Sequence, residues 1–515
     1  MRLISCSITL LIVCAGIVCT AQQQRRNNNW IMSGDPSIKF SFNSNFQIDT
    51  LENNGLASPP YCAALTSASI SDTMGQFQFF SSGFIVYNRD GYAMENGINV
   101  NCPLGNLLSN TIGFASSDQS SIILPKKNNQ YYVFSTGMSD SLTQYWIDSM
   151  AFPGYDVFNY SIVDMDSNAG MGKVTVKNQI LLQNQHYATA ALTAVRHANN
   201  KDWWLVKADC YGHQYQQWLV KEDTILGPYY HAIADTANFC APYVQIVFSE
   251  DGTKFASSIY STVNGNDYTQ INIVDMYDFN RGTGDFTFRN NYQVPCDTTS
   301  YQWDDAKAGI SFSPDSKLLY LSTWYNIFQF EVADTARYSY IWIHGPDTTL
   351  DVFPSYHILA NGEDGNLYIG NFDGSQHYMS YIDKPNIRGT GCDFVAHGIW
   401  QPYTNLMNPP NMPNYGLGQY GTYPLPVVSV VKVGGSVMVY PNPTSNQITI
   451  EYAHDTDELA TFVLYDITGK VILEQTLPTH SKRYTIDLHE YAQGVYSYKI
   501  TTRANAIFNG KLIKE

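Results

Sequence analysis

Short alternations of polar and apolar residues recur along the whole chain, and no stretch keeps apolar residues at helical spacing over several turns. Six runs are strongly apolar or aromatic: QFQFFSSG from Gln76, YYVFSTG from Tyr131, WWLVKAD from Trp203, KFASSIY from Lys254, LLYLSTW from Leu318 and NLYIGNF from Asn366. Their starts lie 48 to 72 residues apart. A four-stranded sheet of short strands needs about 40 to 50 residues, so each run predicts one sheet with loops of variable length.

A turn phrase precedes three of these runs, at residues 249–253, 313–317 and 361–365. Asp-Gly and Pro-Asp reversals ahead of a strand indicate hairpins, and residues 312–320 (FSPDSKLLY) are typical of WD40-like propeller blades. The repeat predicts an all-β fold, a six- or seven-bladed β-propeller, with residues 37–50 and a late strand forming a seventh blade. One or two β-sandwiches are the alternative, but they do not predict the recurring phrase.

The end of the chain alternates in the same way, at Gln447–Tyr452, Ala460–Tyr465 and 483–488, and residues 466–469 supply a tight reversal. About seven short strands without a helical period predict a small C-terminal β-sandwich after the propeller. A generic immunoglobulin-like domain is the alternative interpretation.

Four segments follow one another in this last region: Tyr440-Pro441-Asn442-Pro443, LYDITGK at 464–470, Gly494-Val495-Tyr496 and GKLIKE at 510–515. The series resembles the type A sorting domain of the Bacteroidetes type IX secretion system. The resemblance implies a secreted or cell-surface protein whose partners are the type IX translocon and a sortase-like protease. It also implies recognition or turn positions without a catalytic role: Tyr440, Pro441, Asn442, Pro443, Gly469, Gly494, Lys511 and Lys514.

The start of the chain predicts export as well. Arg2, an apolar stretch at 3–18 and the small residues at 19–21 have the pattern of a cleavable signal peptide, residues 1–21. A lipoprotein signal is the alternative, because Cys14 and Cys19 lie near the cut. We therefore expect a propeller body at 22–425, a linker at 426–436 and the sorting domain at 437–515.

The body contains further phrases that resemble a broad group of exported Bacteroidetes proteins with the same sorting domain. They include residues 68–72, 194–204 and 410–415 (PNMPNY). This second resemblance implies propeller architecture and surface export, and the group has no settled activity to carry over.

The cysteine content and the net charge indicate the redox environment of the protein and the classes of partner that it disfavours. Outside the signal peptide six cysteines remain, Cys62, Cys102, Cys210, Cys240, Cys296 and Cys392. In an oxidising compartment they predict up to three disulfides, with Cys62–Cys102 and Cys210–Cys240 as the simplest pairs. The net charge of −16 disfavours nucleic acid and anionic membranes as partners. No later stretch is apolar enough for a transmembrane segment.

No motif identifies a reaction, a catalytic residue or a cofactor. Asp164, Asp166 and Asn168 alternate like the start of a calcium loop, but Ala169 replaces the turn glycine and Thr175 replaces the bidentate glutamate. A polar turn is the favoured interpretation, and the same holds for Asp275, Asp278 and Asp285. Eight histidines are scattered over the body without metal-ligand spacing: His186, His197, His213, His231, His344, His357, His377 and His397.

The aromatic content is the remaining indication, with 38 Tyr, 25 Phe and 9 Trp. Flat rings suit glycan or peptide binding, and packing between blades is the competing use of them. We select Trp203, Trp303, Trp324 and Trp400 as possible ligand-binding residues. The sequence predicts a non-enzymatic module that binds a glycan or protein; the alternative is a hydrolase or lyase with its site at the mouth of the propeller channel.

Overall fold

The computed structural model describes most of the chain in two compact units, residues 1–424 (the body) and residues 425–515 (the tail). The described ranges in the body are 25–32, 37–42, 46–51, 67–101, 119–149, 154–185, 187, 191–209, 214–233, 245–262, 270–295, 309–336, 339–345, 355–371, 377–402 and 408–417. Those in the tail are 437–440, 442–452, 460–466, 470–477, 483–502 and 507–515. The signal peptide at 1–21 and the linker at 426–436 lie outside these ranges, so both stay predictions.

The described strands of the body form seven antiparallel groups, which we call blades 1 to 7; blades 2 and 3 are joined edge to edge in one eight-stranded sheet. Blade 1 has three strands: β1 (Asn29–Met32), β2 (Ser37–Phe42) and β3 (Phe46–Leu51). Blade 2 has β4 (Ala68–Ser71), β5 (Phe77–Ser81), β6 (Ile85–Asn88) and β7 (Ala93–Ile98). Blade 3 has β8 (Ser121–Pro125), β9 (Gln130–Gly137), β10 (Val157–Asp164) and β11 (Lys173–Leu182).

The other four blades have four strands each, in chain order. Blade 4 has β12 (Leu192–Arg196), β13 (Trp203–Asp209), β14 (Gln214–Val220) and β15 (Ile225–Ala232). Blade 5 has β16 (Ile246–Phe248), β17 (Lys254–Thr262), β18 (Gln270–Phe279) and β19 (Phe286–Pro295). Blade 6 has β20 (Gly309–Phe312), β21 (Leu318–Ser322), β22 (Ile327–Glu331) and β23 (Ile341–His344). Blade 7 has β24 (Tyr356–Asn361), β25 (Leu367–Asn371), β26 (Tyr378–Ile382) and β27 (Phe394–Trp400).

The first strands of the blades form the inner wall of a ring. In blades 2 to 7 each first strand contacts the first strand of the next blade, and β1 contacts β4. Each blade then runs outward as a simple meander, so its fourth strand lies at the edge. Blades 2 and 3 also join at that edge, where Glu95 of β7 pairs in parallel with Lys173 of β11. This arrangement is a β-propeller, as the sequence predicts.

The six apolar runs of the sequence are the second strands of blades 2 to 7. Such a strand is covered by a neighbouring blade on both faces, so every residue of β13 and β21 is buried. Burial on both faces removes the need for a polar residue at every second position. The edge strand β15, in contrast, is mostly exposed or half-buried. The position of each run within its blade therefore explains its composition.

The repeated turn phrases link the first strand to the second strand of a blade, as the sequence predicts. Asp251 Oδ1 accepts hydrogen bonds from the Ser249 hydroxyl (2.6 Å) and from the Thr253 amide (2.9 Å). Asp315 accepts the equivalent bonds from Ser313 (2.7 Å) and Lys317 (3.2 Å). The carboxylate thus satisfies turn donors that the ladder leaves unpaired.

The ring closes between blade 1 and blade 7. Trp30 and Phe42 of blade 1 meet the Tyr368 ring of blade 7 edge to face, with centroids 5.3 and 5.6 Å apart. On its other side blade 1 meets blade 2, where the Ser67 hydroxyl donates to Ile31 O (2.5 Å) and the Ser69 hydroxyl donates to Asn29 O (2.9 Å). These bonds show that β1 runs opposite to β4. Among its described strands, blade 1 therefore has no inner strand that runs in the direction of the other first strands.

One α-helix, α1 (Asp140–Ser149), lies in the connection between β9 and β10. The Ser139 hydroxyl caps it by accepting a hydrogen bond from the Leu142 amide (3.3 Å). Only Thr143 and Trp146 of this helix are buried. The sequence did not predict it, because so short an element with two buried residues produces no apolar stripe.

The tail is a sandwich of two sheets. One has β28 (Val437–Tyr440), β29 (Gln447–Tyr452) and β32 (Arg483–Asp487), and the other has β30 (Ala460–Tyr465), β31 (Val471–Leu477), β33 (Gly494–Thr502) and β34 (Ile507–Lys514). The apolar residues of the alternating strands, among them Ile448, Phe462 and Ile500, are completely buried between the sheets. The predicted C-terminal β-sandwich is confirmed.

The disulfide prediction needs one correction. Cys392 is a buried free thiol, so it forms none of the three expected bridges. The expected pairs Cys62–Cys102 and Cys210–Cys240, and also Cys296, lie outside the described residues and stay predictions.

Candidate functional site

The axis of the propeller is filled by the chain itself, by residues 408–417, which we call the axial segment. Asn27 Nδ2 at the start of blade 1 donates to Pro413 O (3.0 Å), and Asn408 Oδ1 lies 3.2 Å from Nδ1 of the buried His357 in blade 7. Between these points the segment contacts blades 2, 3 and 4 through Asn411, and beyond them Asn414 Nδ2 donates to Glu250 O in the first turn of blade 5 (3.0 Å). Three prolines, at 409, 410 and 413, keep it from forming a ladder. The axial segment is not a strand of blade 1: among the described residues, residues 37–50 pair only with one another and with β1, and no late strand joins them.

Asn411 holds the axial segment to three blades at once. Its backbone amide donates to Ser67 O (2.7 Å), and its Nδ2 donates to Ser121 O and Leu192 O (both 2.9 Å). Its Oδ1 accepts a weaker bond from Gln119 Nε2 (3.4 Å). The carbonyl groups of Ser67, Ser121 and Leu192 would otherwise lack these donors near the axis, so one asparagine satisfies backbone acceptors of three blades.

The end of the axial segment is fixed by a second set of contacts. The buried Tyr415 hydroxyl donates to Ile123 O (2.6 Å), and Arg196 Nη2 donates to Tyr415 O (2.9 Å). The same guanidinium lies over the Trp203 ring, 4.4 Å from its centroid. Burial lowers the pKa of Arg196 to about 10, so it stays charged at neutral pH.

Two glutamates lie near this end of the axis. Glu250 accepts hydrogen bonds from Asn361 Nδ2 (2.8 Å) and from Asn414 Nδ2 (2.7 Å), and burial raises its pKa. Desolvation by the surrounding protein, followed by the charge of Glu250, raises the pKa of Glu363 to about 7, whereas the residue as a whole is exposed to solvent. The neighbouring Arg25 opposes that shift. A glutamate that titrates near neutral pH is suited to proton transfer.

The predicted aromatic candidates differ in their surroundings. Trp203 is 2% exposed and its ring is enclosed by Arg196 and Tyr415, so it serves packing and offers no face to a ligand. Trp324 is half-buried beside Tyr325, and Trp303 lies outside the described residues. Trp400 is 58% exposed on the edge strand of blade 7.

Trp400 belongs to a group of four rings, which we call the aromatic edge: His377, Tyr378, His397 and Trp400. Trp400 and Tyr378 are directly paired across β26 and β27, so they lie on the same face. Their strand neighbours Met379 and Ile399 pack on the opposite face, against blade 1. Trp400 is stacked on His377 and Tyr378 on His397, with interplanar angles of 10° and 14°. The exposed rings are thus held in fixed orientations.

A second exposed tryptophan, Trp342, escaped the sequence selection. It is also 58% exposed, on the edge strand of blade 6. Its Nε1 donates to Asn326 Oδ1 (3.1 Å), and its ring lies so close to Gly345 that an added Cβ there would come within 1.9 Å. The outer edge of the Trp342 ring therefore packs against its own chain. No sequence signal separates Trp342 from Trp400, because their difference depends on contacts between strands.

The residues of the candidate calcium loop form hydrogen bonds within turns between strands. Asp164 and Asp166 accept amide hydrogen bonds from Gln130 Nε2 (3.1 Å) and Asn129 Nδ2 (2.7 Å), and Asn168 begins the 3₁₀ turn that follows. Within the described ranges no three His, Cys, Asp or Glu side chains gather in a group that would hold a metal ion. The arrangement corresponds to the polar turn that the sequence favours.

Asp278 and Asp285 line an open cleft of about 410 Å³ on blade 5, whereas Asp275 is buried and accepts a bond from Asn291 Nδ2 (2.8 Å). Asp278 is paired with Lys254 (3.1 Å) and Arg289 (3.3 Å). The Arg281 guanidinium is directed away from a ligand, since its Nε donates to Arg196 O (2.8 Å). The cleft therefore offers few free polar groups.

In the tail, the residues of the sorting pattern form one structural unit. Asn442 Nδ2 donates to Lys511 O (2.6 Å) and Asn442 Oδ1 accepts from the Ile513 amide (2.9 Å). Lys514 Nζ donates to Tyr491 O, and Lys514 pairs with Gly494 across β33 and β34. Tyr440 ends β28, Pro443 follows Asn442, and Pro441 and Gly469 lie outside the described residues. The Pro-Asn-Pro segment and the terminal strand are thus bound to each other.

Comparison with known families agrees with this geometry. Residues 438–515 match the family described as the secretion system C-terminal sorting domain. The chain therefore carries a type IX sorting domain, and the protein is exported to the cell surface or secreted. No curated protein matches the chain. None of the helices in the described part of the chain has the length and hydropathy of a membrane span.

Several solved structures share features with the chain at low identity. The extracellular domain of a putative one-component system from B. thetaiotaomicron is 10% identical, with a TM-score of 0.37, covering 95% of this chain and 56% of that one. The chain therefore spans little more than half the length of that protein. Hsv2p of Kluyveromyces lactis is 10% identical (TM-score 0.33, 70% and 90% covered), and the Nup133 β-propeller domain of Vanderwaltozyma polyspora is 11% identical (TM-score 0.29, 66% and 96% covered). The assignment of the fold rests on the sheets described above.

Proposed function

We propose that the protein is a non-enzymatic binding module of the cell surface, which takes a glycan or protein ligand on the outside of its propeller. The observation that carries this proposal is the axial segment. An enzyme of this fold would place its reacting groups at the channel, and Asn411, Asn414 and Tyr415 occupy that space with their own hydrogen bonds. The ligand is then left to the exposed surface of the blades.

The tail supports the extracellular part of the proposal. We propose that the translocon and a sortase-like protease recognise the surface formed by Tyr440, Asn442, Pro443 and the terminal strand. The bonds between Asn442 and β34 make this surface depend on the fold and not on a linear peptide alone.

A screen of the purified full-length protein against a glycan array and surface-protein extracts tests the function. Each retained polymer is then incubated with the protein, and new reducing ends or peptide fragments are measured. We expect retention without cleavage. Cleavage of a retained polymer would overturn the non-enzymatic assignment.

One observation favours a second candidate function, an extracellular hydrolase. Glu363, with its pKa raised to about 7, lies near Glu250 at one end of the axis and would serve as a proton donor. If cleavage is observed, Glu363→Gln should abolish it. Activity that survives this substitution would exclude the candidate.

A further inference from the structure

The aromatic edge of blade 7 has the properties of a carbohydrate platform. Trp400 and Tyr378 point away from the core on one face of β26 and β27, with exposed fractions of 58% and 39%. A pyranose ring presents a flat apolar face of C–H groups, and an exposed aromatic ring binds such a face because its own hydration is poor. Two paired rings on neighbouring strands extend the platform beyond one residue.

The rings are prepared for binding because their orientations are already fixed. The imidazoles of His377 and His397 are nearly parallel to Trp400 and Tyr378, at centroid distances of 6.1 and 5.2 Å. His377 is itself fixed, since its Nδ1 donates to Gln401 O (3.0 Å). A side chain that is already ordered loses little conformational entropy when a ligand binds.

Polar groups for the hydroxyls of a sugar lie at the same edge. Because Nδ1 of His377 donates to Gln401 O, Nε2 is the ring nitrogen that is suited to accept a hydrogen bond from a sugar hydroxyl. The Tyr378 hydroxyl both donates and accepts. Flat apolar contact together with a few oriented polar groups is the usual composition of a small-molecule site.

The lack of charged residues at the aromatic edge favours neutral over anionic carbohydrates. Residues 377–382 and 394–401, which form this edge, contain no Asp, Glu, Lys or Arg, although the protein has a net charge of −16. An anionic polymer would be repelled by the protein as a whole and would find no local cation. The surface therefore fits an uncharged ligand.

We propose that the aromatic edge, centred on Trp400 and Tyr378, binds neutral polysaccharide. This inference rests on the proposed binding function and names its site and ligand class. An anionic polysaccharide also has flat sugar faces and hydroxyls, but its charged groups would find no cation in residues 377–382 and 394–401.

The test uses the full-length protein and soluble neutral oligosaccharides, namely six-residue glucan, mannan and xylan fragments, with titration followed by tryptophan fluorescence and calorimetry. Trp400→Ala should weaken binding about tenfold or more, as expected for the loss of an aromatic anchor. Tyr378→Ala should have a smaller effect, and Trp400→Phe should retain part of the affinity. Trp342→Ala is the matched control, because it removes an equally exposed tryptophan from the edge of blade 6 and should leave affinity unchanged.

The outcomes separate the site from the function. If the wild-type protein binds these fragments and Trp400→Ala, with unchanged thermal unfolding, binds them equally well, the site assignment is wrong while the binding function stands. If it binds only an anionic polysaccharide or a protein, the ligand class is wrong. If it retains no glycan and no protein, the proposed function fails as well. Should Trp400→Ala not fold, Trp400→Phe and Tyr378→Ala decide the question.

Discussion

Asn442 donates a hydrogen bond to the carbonyl oxygen of Lys511, 69 residues further along the chain. The same side chain accepts from Ile513, so it joins the first sequence segment of the sorting domain to the last. Segments that are separate in sequence therefore form one surface in the folded tail.

We expect Asn442→Ala to destabilise the tail by about 1–2 kcal/mol, since two hydrogen bonds on an exposed side chain are lost. Export should fall in parallel, measured as the fraction of protein at the cell surface. Asn446→Ala is the control, because that side chain is exposed and only its backbone carbonyl is used, by the Leu488 amide. Equal surface fractions for the two variants would contradict the prediction.

Removal of residues 437–515 should leave a folded body that is not displayed. The body and the tail are separate compact units, so loss of one does not remove core residues from the other. Protease accessibility on intact cells and fractionation of the periplasm measure the result. Surface display of the truncated chain at the wild-type level would show that the tail is not required for export to the cell surface.

Asn411→Ala should lower the stability of the body by about 2–4 kcal/mol, because it leaves the carbonyls of Ser121 and Leu192 buried without a donor. Denaturant unfolding of the full-length protein measures the change. Gln179→Ala, on the exposed part of β11, should have no measurable effect. If Asn411→Ala lowers the free energy of unfolding no more than Gln179→Ala does, the axial segment is not held through Asn411.

The pKa of Glu363 predicts a dependence of stability on pH. Its folded-state value of about 7 lies above the ordinary 4.5, so the folded protein holds a proton that the unfolded chain releases. The stability that this proton contributes is complete below about pH 4.5 and is lost as the pH rises through about 7. Glu363→Gln should therefore raise Tm at pH 8 and leave it nearly unchanged at pH 4.5.

A matched substitution separates this effect from a general loss of negative charge. Glu95→Gln removes an exposed carboxylate that is paired with Lys173 at the surface, and such pairs contribute little. It should not raise Tm at pH 8. A Tm difference between Glu363→Gln and wild type that is the same at both pH values would contradict the shifted pKa.

Cys392 should resist thiol reagents in the folded protein. Burial raises the pKa of its thiol to about 11, above the usual 9.0, so at pH 8 the reactive thiolate is about a hundredfold scarcer than in the unfolded chain. Alkylation followed by peptide mapping distinguishes Cys392 from the other cysteines. Equal labelling rates in buffer and in denaturant would show that the thiol is accessible.

The sequence predicted those parts of the fold that depend on neighbouring residues. Asp251 and Asp315 form their turns within five residues, and the second strands were visible because burial on both faces leaves runs such as WWLVKAD. The tail was predicted because its pattern occurs in a fixed order. Turns formed by neighbouring residues and strands buried on both faces can therefore both be predicted from short stretches of sequence.

The candidate site was less accessible to the same reasoning. Trp203 and Trp400 are both tryptophans on predicted strands, but Trp203 is buried under Arg196 on the second strand of blade 4, and Trp400 is exposed at the edge of blade 7. Inner and outer positions are set by contacts between blades. The axial position of residues 410–415 could not be predicted for the same reason, because Asn411 forms hydrogen bonds with residues 219 and 290 positions away in the chain.

The axial segment has a consequence for the order of synthesis and export. Its residues, 408–417, follow all seven blades in the chain and precede the sorting domain. A polypeptide that has been translated as far as the sorting domain therefore already contains the axial segment of the propeller. A chain that terminates before residue 408 lacks both the axial segment and the sorting domain, so an incomplete propeller would not be exported to the cell surface.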